Sequence, residues 1–181
     1  REKIIKIFEE IYNQNVLGKN TETLSGPGST LAHTFEIRNK LPTILNKYNI
    51  KSILDAGCGD FNWFKLFDLG ERKYIGVDVI KDIIQQNKEK YENNNIKFEL
   101  MEFTTDNLPE CDLIICRDCL VFLNNEDIMR ALLNFKKSGC KYLLTTNFTK
   151  KRKNNNVQSG LWHPINWTDQ PFMFVEPIEK I

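Results

Sequence analysis

Ile53-Leu54-Asp55-Ala56-Gly57-Cys58-Gly59-Asp60-Phe61 is a short apolar run that ends on an acid, turns through two glycines and meets a second acid. Such a run, bounded by turn signals, reads as a buried strand. Only backbone without a Cβ lets a bulky ligand sit against the turn that follows, so a cofactor site is the leading reading. A Gly-x-Gly turn alone leaves the cofactor open. The dinucleotide fingerprint adds a third glycine for close helix packing, but Asn62 stands there, followed by bulky Trp63. A nicotinamide-dependent reductase is thereby disfavoured.

Tyr74-Ile75-Gly76-Val77-Asp78 supplies a second strand ending on an acid about 20 residues further on, where a carboxylate takes ribose hydroxyls. Asp78 indicates a ribose without choosing between cofactors. The choice comes from Asp55 and Asp60, whose charges flank the turn, repel a pyrophosphate and suit a cofactor carrying ammonium and sulfonium charge. With these residues the chain resembles a class I S-adenosylmethionine-dependent methyltransferase. Asp55-Ala56-Gly57-Cys58-Gly59 is similar to that family's glycine-rich first motif, Asp78 to its ribose-binding acid, and Glu102 to the acid that reaches the adenine amino group. Asp112-Leu113-Ile114-Ile115-Cys116-Arg117-Asp118 resembles its fourth-strand motif beside the transferring methyl.

A narrower resemblance rests on Ser25-Gly26-Pro27-Gly28-Ser29-Thr30, Gly59-Asp60-Phe61-Asn62-Trp63, Cys116-Arg117-Asp118 and Trp162-x-Pro164-x-Asn166. These look like a bacterial subgroup associated with polysaccharide gene clusters, some of which build the O-methyl phosphoramidate decoration of capsules. The resemblances imply S-adenosyl-L-methionine as cofactor, with S-adenosyl-L-homocysteine as product. They also imply an α/β, three-layer Rossmann-like methyltransferase fold, with a mainly parallel twisted sheet and helices on both faces. The expected cofactor contacts are Ser25, Gly26, Ser29, Arg38, Asp55, Gly57, Cys58, Gly59, Asp60, Trp63, Asp78, Val79, Glu102, Phe103, Cys116 and Arg117.

Length and composition agree with this reading. A chain of 181 residues with 41% hydrophobic content suits one domain, 1–181, with 1–50 a helical lid or flank and 51–181 the core and acceptor segment. No apolar run approaches the roughly 20 residues of a membrane span, and there is no signal-peptide core, so a cytoplasmic protein with no membrane partner is expected. Lys plus Arg (25) nearly balances Asp plus Glu (24), which disfavours a nucleic-acid binder and with it an RNA methyltransferase. The five cysteines are odd in number, as for reduced thiols. Cys116-x-x-Cys119 has metal or redox spacing but lacks a second pair, and it reads as structural or site-lining with no metal. Oligomeric state is left open.

Along the chain, Ile4, Ile7, Phe8, Ile11 and Tyr12 recur at helical spacing and predict an amphipathic helix that lids or flanks the sheet. Leu31, Phe35, Leu41, Ile44 and Leu45 predict a second helix that Pro42 kinks or divides. From residue 52 the pattern alternates: strand 53–55, helix 63–67, strand 74–78, helix 83–91, strand 96–101, strand 113–116, helix 127–137, strand 142–146. Ligands on such sheets bind beyond the carboxyl ends of the strands, where Gly57, Asp78, Glu102 and Arg117 fall. Residues 147–159, including the basic run 150–153, read as a mobile loop, and 172–175 as a possible sixth strand.

The acceptor decides which residues are catalytic. A phosphate or phosphoramidate oxygen arrives ionised and needs cations or backbone donors: Arg117, Arg38, the basic loop, and the nest-like segment 25–30 with Ser29 and Thr30. A sugar hydroxyl needs a base, for which His33, Asp118 and His163 are candidates. Asp118 alternatively pairs with Arg117 and orients it. Acceptor contacts are expected from Ser29, Thr30, Asn147, Trp162 and Asn166, with catalytic roles at Arg117, Asp118 and His163. The partner expected is a small anionic or nucleotide-linked metabolite. A non-catalytic cofactor-binding subunit of a heteromeric enzyme is the second class.

Overall fold

The structure, a computed structural model, describes residues 2–150 and 153–181. Lys151 and Arg152 of the basic run lie outside the described residues.

Five strands, β1 (Ser52–Ala56), β2 (Lys73–Asp78), β3 (Ile96–Leu100), β4 (Leu113–Cys116) and β5 (Tyr142–Thr145), form one parallel sheet in the order β3-β2-β1-β4-β5. Every residue of β4 and all but the first of β1 are buried. Strands covered on both faces read as continuous apolar runs, which is why 53–56 and 113–116 carry so plain a signal. The chain order reverses between β1 and β4, and the carboxyl ends of these neighbours open the crevice in which such sheets bind ligands.

Alternate side chains feed two cores. Leu54, Ala56, Ile114 and Cys116 pack on one face with Ile128, Ala131 and Phe135 of α4 (Asn125–Lys137). Ile53, Tyr74, Phe98, Leu113 and Ile115 pack on the other with Ile37, Leu41 and Leu45 of α2 (Phe35–Lys47) and Ile84 of α3 (Lys81–Tyr91). This is a three-layer α/β fold, a parallel sheet with helices on both faces. Its α4 is capped where it begins: the Asn124 side chain accepts from the Asp127 N–H at 2.8 Å. Glu126 and Asp127 lie in its first turn and Lys136 and Lys137 in its last, matching the helix dipole.

Four expectations change. The helix expected over 63–67 is one 3-10 turn, Phe64–Leu66. Phe61, Trp63, Phe64 and Leu69 of this crossover are all buried, and Phe61 alone packs against Phe64, Tyr74, Tyr91 and Phe98, so aromatic packing rather than helical amphipathicity shapes it. Pro42 does not divide α2, which runs through it with Leu41 and Leu45 fully buried. Residues 172–175 form no strand: Phe172 and Phe174 instead pack on the buried Trp167 ring, and the Phe174 N–H donates to the Trp167 carbonyl at 2.7 Å.

The loop expected to be mobile is pinned where it is described. Asn154 Nδ2 donates to the carbonyls of Asn166 and Gln170, both at 2.8 Å, and the Ser159 hydroxyl donates to Asp127 at 2.6 Å. Asparagines that satisfy buried carbonyls across the chain do not differ in composition from asparagines of a solvated loop. Among the described residues no helix is long and apolar enough to cross a membrane.

Candidate cofactor and acceptor site

Helix α1 (Glu2–Asn13) lies over the carboxyl ends of the central strands and roofs a cleft of about 900 Å³, its open mouth included. The roof consists of Ile4, Phe8, Ile11 and Tyr12, the apolar stripe that the sequence periodicity marks. The floor and walls hold Gly57, Gly59, Asp78, Val79, Glu102, Phe103, Arg117 and Asp118, with Ser25 and Ser29 on one side. Ten expected site residues thus converge on one space. The sequence reading omitted Asn15, Leu17, Leu24, Ile80, Ile83, Phe122 and Leu123, which also line it. Cys119 lines it too, in keeping with a site-lining cysteine.

The turn after β1 is held open by the glycines, and the fold itself uses the space. Gly57 (φ 84°) and Gly59 (φ 55°) are left-handed, a conformation other residues adopt at a cost. A Cβ on Gly57 would overlap the Cys119 sulfur, and one on Gly59 would overlap the Ser25 hydroxyl. The missing side chains therefore admit protein neighbours, not the ligand directly. Asp60 explains why Ser25 is there: its carboxylate accepts from the Thr23 hydroxyl, the Leu24 N–H and the Ser25 hydroxyl at 2.7–2.9 Å. Asp60 is the anchor of the 23–25 loop and does not line the cleft.

Asp78 ends β2 with its carboxylate accepting from the Gly59 N–H at 3.0 Å and the Ile80 N–H at 3.1 Å. Burial pushes its pKa up, against those amide bonds. Each oxygen carries a further lone pair, so the group remains able to accept from ligand hydroxyls. Glu102 lines the cleft, but its oxygens accept from the Thr104 N–H and the Thr104 and Thr105 hydroxyls at 2.7–2.9 Å. Asp55 lies beneath the turn, buried, accepting from the Tyr74 hydroxyl at 2.7 Å. Burial raises its pKa to about 7, assisted by Asp78 and opposed by Tyr74 and Arg117.

At the end of β4, Arg117 is fixed on three sides. Its Nη1 donates to the Gly28 carbonyl at 2.7 Å, pairs with Asp118 at 2.9 Å, and the guanidinium lies 5.9 Å from the Trp63 ring centre. Asp118 (φ 51°) is in turn held by Thr146, whose hydroxyl donates to its carboxylate at 2.8 Å and accepts from its N–H at 2.9 Å. The expectation that Asp118 pairs with and orients Arg117 describes this geometry, and Trp63 contributes by supporting the guanidinium.

Other expected residues lie elsewhere. Arg38 donates to the Leu31 carbonyl and the Thr34 hydroxyl, tying α2 to the turn before it. Thr30 donates to the Pro27 carbonyl and contacts His33, neither of them lining the cleft. His163 is buried under the 3-10 turn Leu120–Phe122, its Nε2 2.8 Å from the Leu123 carbonyl, so it cannot act as a base on a ligand in the cleft. Asn147 accepts from the Trp167 N–H, and Asn166 accepts from the Thr168 N–H and hydroxyl. Trp162 is 54% exposed against Phe148. These side chains knit the C-terminal segment onto the sheet. Cys58 and Cys116 are core residues, and Gly26 gives the left-handed turn before Pro27–Ser29.

The lining is suited to a cation with an apolar body: among the described residues three carboxylates, Asp78, Glu102 and Asp118, face one cation, Arg117, and most of the remaining wall is aliphatic or aromatic. That donor set fits S-adenosylmethionine, whose ammonium and sulfonium charges outnumber its carboxylate.

Comparison with known proteins agrees on the fold. Residues 53–138 match a family described as a methyltransferase domain. No curated protein sequence matches the chain. Among solved structures, the magnesium protoporphyrin IX methyltransferase of Synechocystis PCC 6803, with bound S-adenosylhomocysteine, is similar at 14% identity over 74% of this chain and 67% of its own (TM-score 0.56). N-methyltransferase NodS of Bradyrhizobium japonicum WM9 is similar at 13% identity over 73% and 67% (TM-score 0.52). The methyltransferase domain of bacterial CtHen1 is similar at 15% identity over 61% of this chain (TM-score 0.51), and this chain spans 64% of its length. At these identities the likeness is one of fold.

Proposed function

We propose that this chain is an S-adenosyl-L-methionine-dependent methyltransferase acting on an oxygen of a small anionic acceptor, phosphorylated or nucleotide-linked. The methyltransferase-domain match over 53–138 and the acid-lined cleft support the cofactor. Asp78 would hold the ribose hydroxyls, Val79, Ile80, Ile83 and Phe103 would supply apolar walls for the adenine, and Glu102 would take its amino group. The 57–59 turn and Ser25 would hold the methionine portion. When bound, the cofactor supplies an electrophilic methyl on a sulfonium. The protein's part is to hold the acceptor in line and keep water out, and positioning of this kind supplies much of the rate.

The observation that carries the acceptor reading is the fixed Arg117. Two of its nitrogens, Nε and Nη2, make no hydrogen bond among the described residues, and the Ser29 hydroxyl is likewise unused. Arg117 and Ser29 both line the cleft, and these groups can bind an anionic oxygen. No histidine lines the cleft, and Asp118 is committed to Arg117 and Thr146, so an acceptor that needs no proton removed suits it better than a sugar hydroxyl. Within this class, O-methylation of a phosphoramidate in capsular polysaccharide assembly follows from the sequence resemblance. Arg117→Gln tests the reading. Methyl transfer to a phosphorylated acceptor should fall by about tenfold or more, with S-adenosylhomocysteine affinity kept within a few fold. Unchanged turnover would refute an anion-binding role.

A further inference from the structure

Cys111 and Cys140 lie at the amino-terminal end of β4 and β5, away from the cleft and outside every role assigned above. The two lead-ins run side by side: Leu113 is the register partner of Tyr142, and the Tyr142 N–H donates to the Asp112 carbonyl at 3.0 Å. This brings the sulfurs together. Cys140 Sγ lies 2.9 Å from the Tyr142 carbonyl and 3.7 Å from that of Asp112, and Cys111 Sγ lies 3.5 Å from that of Leu113, so the two cysteines stand side by side, each two residues before the paired Leu113 and Tyr142. Their exposure differs. Cys111 is buried in the core, 7% exposed, whereas Cys140 is only partly covered. The neighbouring Cys111 stabilises the thiolate of Cys140 and holds its pKa down to about 7, while Cys140 and burial push Cys111 up.

A partly exposed cysteine backed by a buried one on the neighbouring strand is the arrangement of an attacking and a resolving cysteine. We propose that Cys140 and Cys111 form a thiol–disulfide exchange site that takes a small organic disulfide of the oxidised-glutathione type and closes into an intramolecular Cys111–Cys140 disulfide. The Cys140 thiolate attacks one sulfur of the incoming disulfide, forming a mixed disulfide and releasing one thiolate. Cys111 then attacks the Cys140 sulfur and releases the second, its proton passing to the leaving group. Two cysteine thiols are oxidised and one disulfide is reduced to two thiols, so electrons balance. The bond would staple edge strand β5 to β4 and close the loop that contains α4. The site is independent of the proposed methyl transfer.

The test is to incubate the native full chain with oxidised glutathione, quench in acid, alkylate and map the peptides by mass spectrometry. Two of the five thiols should be lost, with a peptide linked through Cys111 and Cys140. Cys111→Ser should instead retain a glutathione adduct on Cys140, and Cys140→Ser should leave Cys111 unmodified. Five alkylated thiols, a link between Cys116 and Cys119, or an unresolved adduct on the native chain would each overturn the proposal. The native-chain map decides the matter even if either variant fails to fold.

Discussion

Gly59 reads in the sequence as a gap for a ligand, and in the fold that gap is filled by the Ser25 hydroxyl, which also bridges to the Asp60 amide. Its φ of 55° adds a backbone constraint to the steric one. Gly59→Ala should therefore destabilise the protein by about 1–3 kcal/mol in chemical denaturation and loosen the 23–25 loop, even with no ligand present. Asp55 is legible as a motif acid, yet its burial is not, because that depends on Tyr74 from the next strand. With its folded pKa raised to about 7, the native state binds more protons than the unfolded chain between about pH 4 and 7. Its contribution to stability is greatest below that window and falls as pH rises through it. Urea denaturation at pH 5 and pH 8 should show the protein less stable at pH 8 by about 2–3 kcal/mol, a difference that Asp55→Asn largely removes.

At the scale of elements, what was legible is what local chemistry fixes. The strands around 53–56, 74–78 and 113–116 are apolar runs between turns, and the stripe of α1 is plain in its periodicity. The placement of α1 as a roof follows from packing that the stripe does not specify. The crossover 57–72 departs from its expected helix because its aromatics satisfy one another, and the segment from Asn147 to Phe174 departs from its expected loop and strand because Asn147, Asn154 and Trp167 bond to distant backbone. Thr146 had no sequence signal at all. It stands just beyond β5 and clamps Asp118, which clamps Arg117. Thr146→Val keeps the shape and removes both hydrogen bonds. It should lower kcat/KM for an anionic acceptor by about tenfold and leave S-adenosylhomocysteine affinity unchanged, with Thr146→Ser restoring activity.

For the whole molecule, the parallel sheet sets the position of the cleft, and loops from both halves of the chain furnish it: 24–29 and 57–59 on one side, 78–83 and 102–103 on another, 117–123 at the floor. Its balance of charge, three carboxylates to one paired arginine among the described residues, belongs to no single element. A cationic, ribose-bearing cofactor is the ligand that this assembly suits, and the account rests on that. Calorimetric titration with S-adenosylhomocysteine tests it most directly. The protein should bind with one-to-one stoichiometry, and Asp78→Ala should weaken the affinity by about tenfold or more through loss of a charged hydrogen-bond acceptor. No binding by the native protein, or binding indifferent to Asp78, would contradict the assignment.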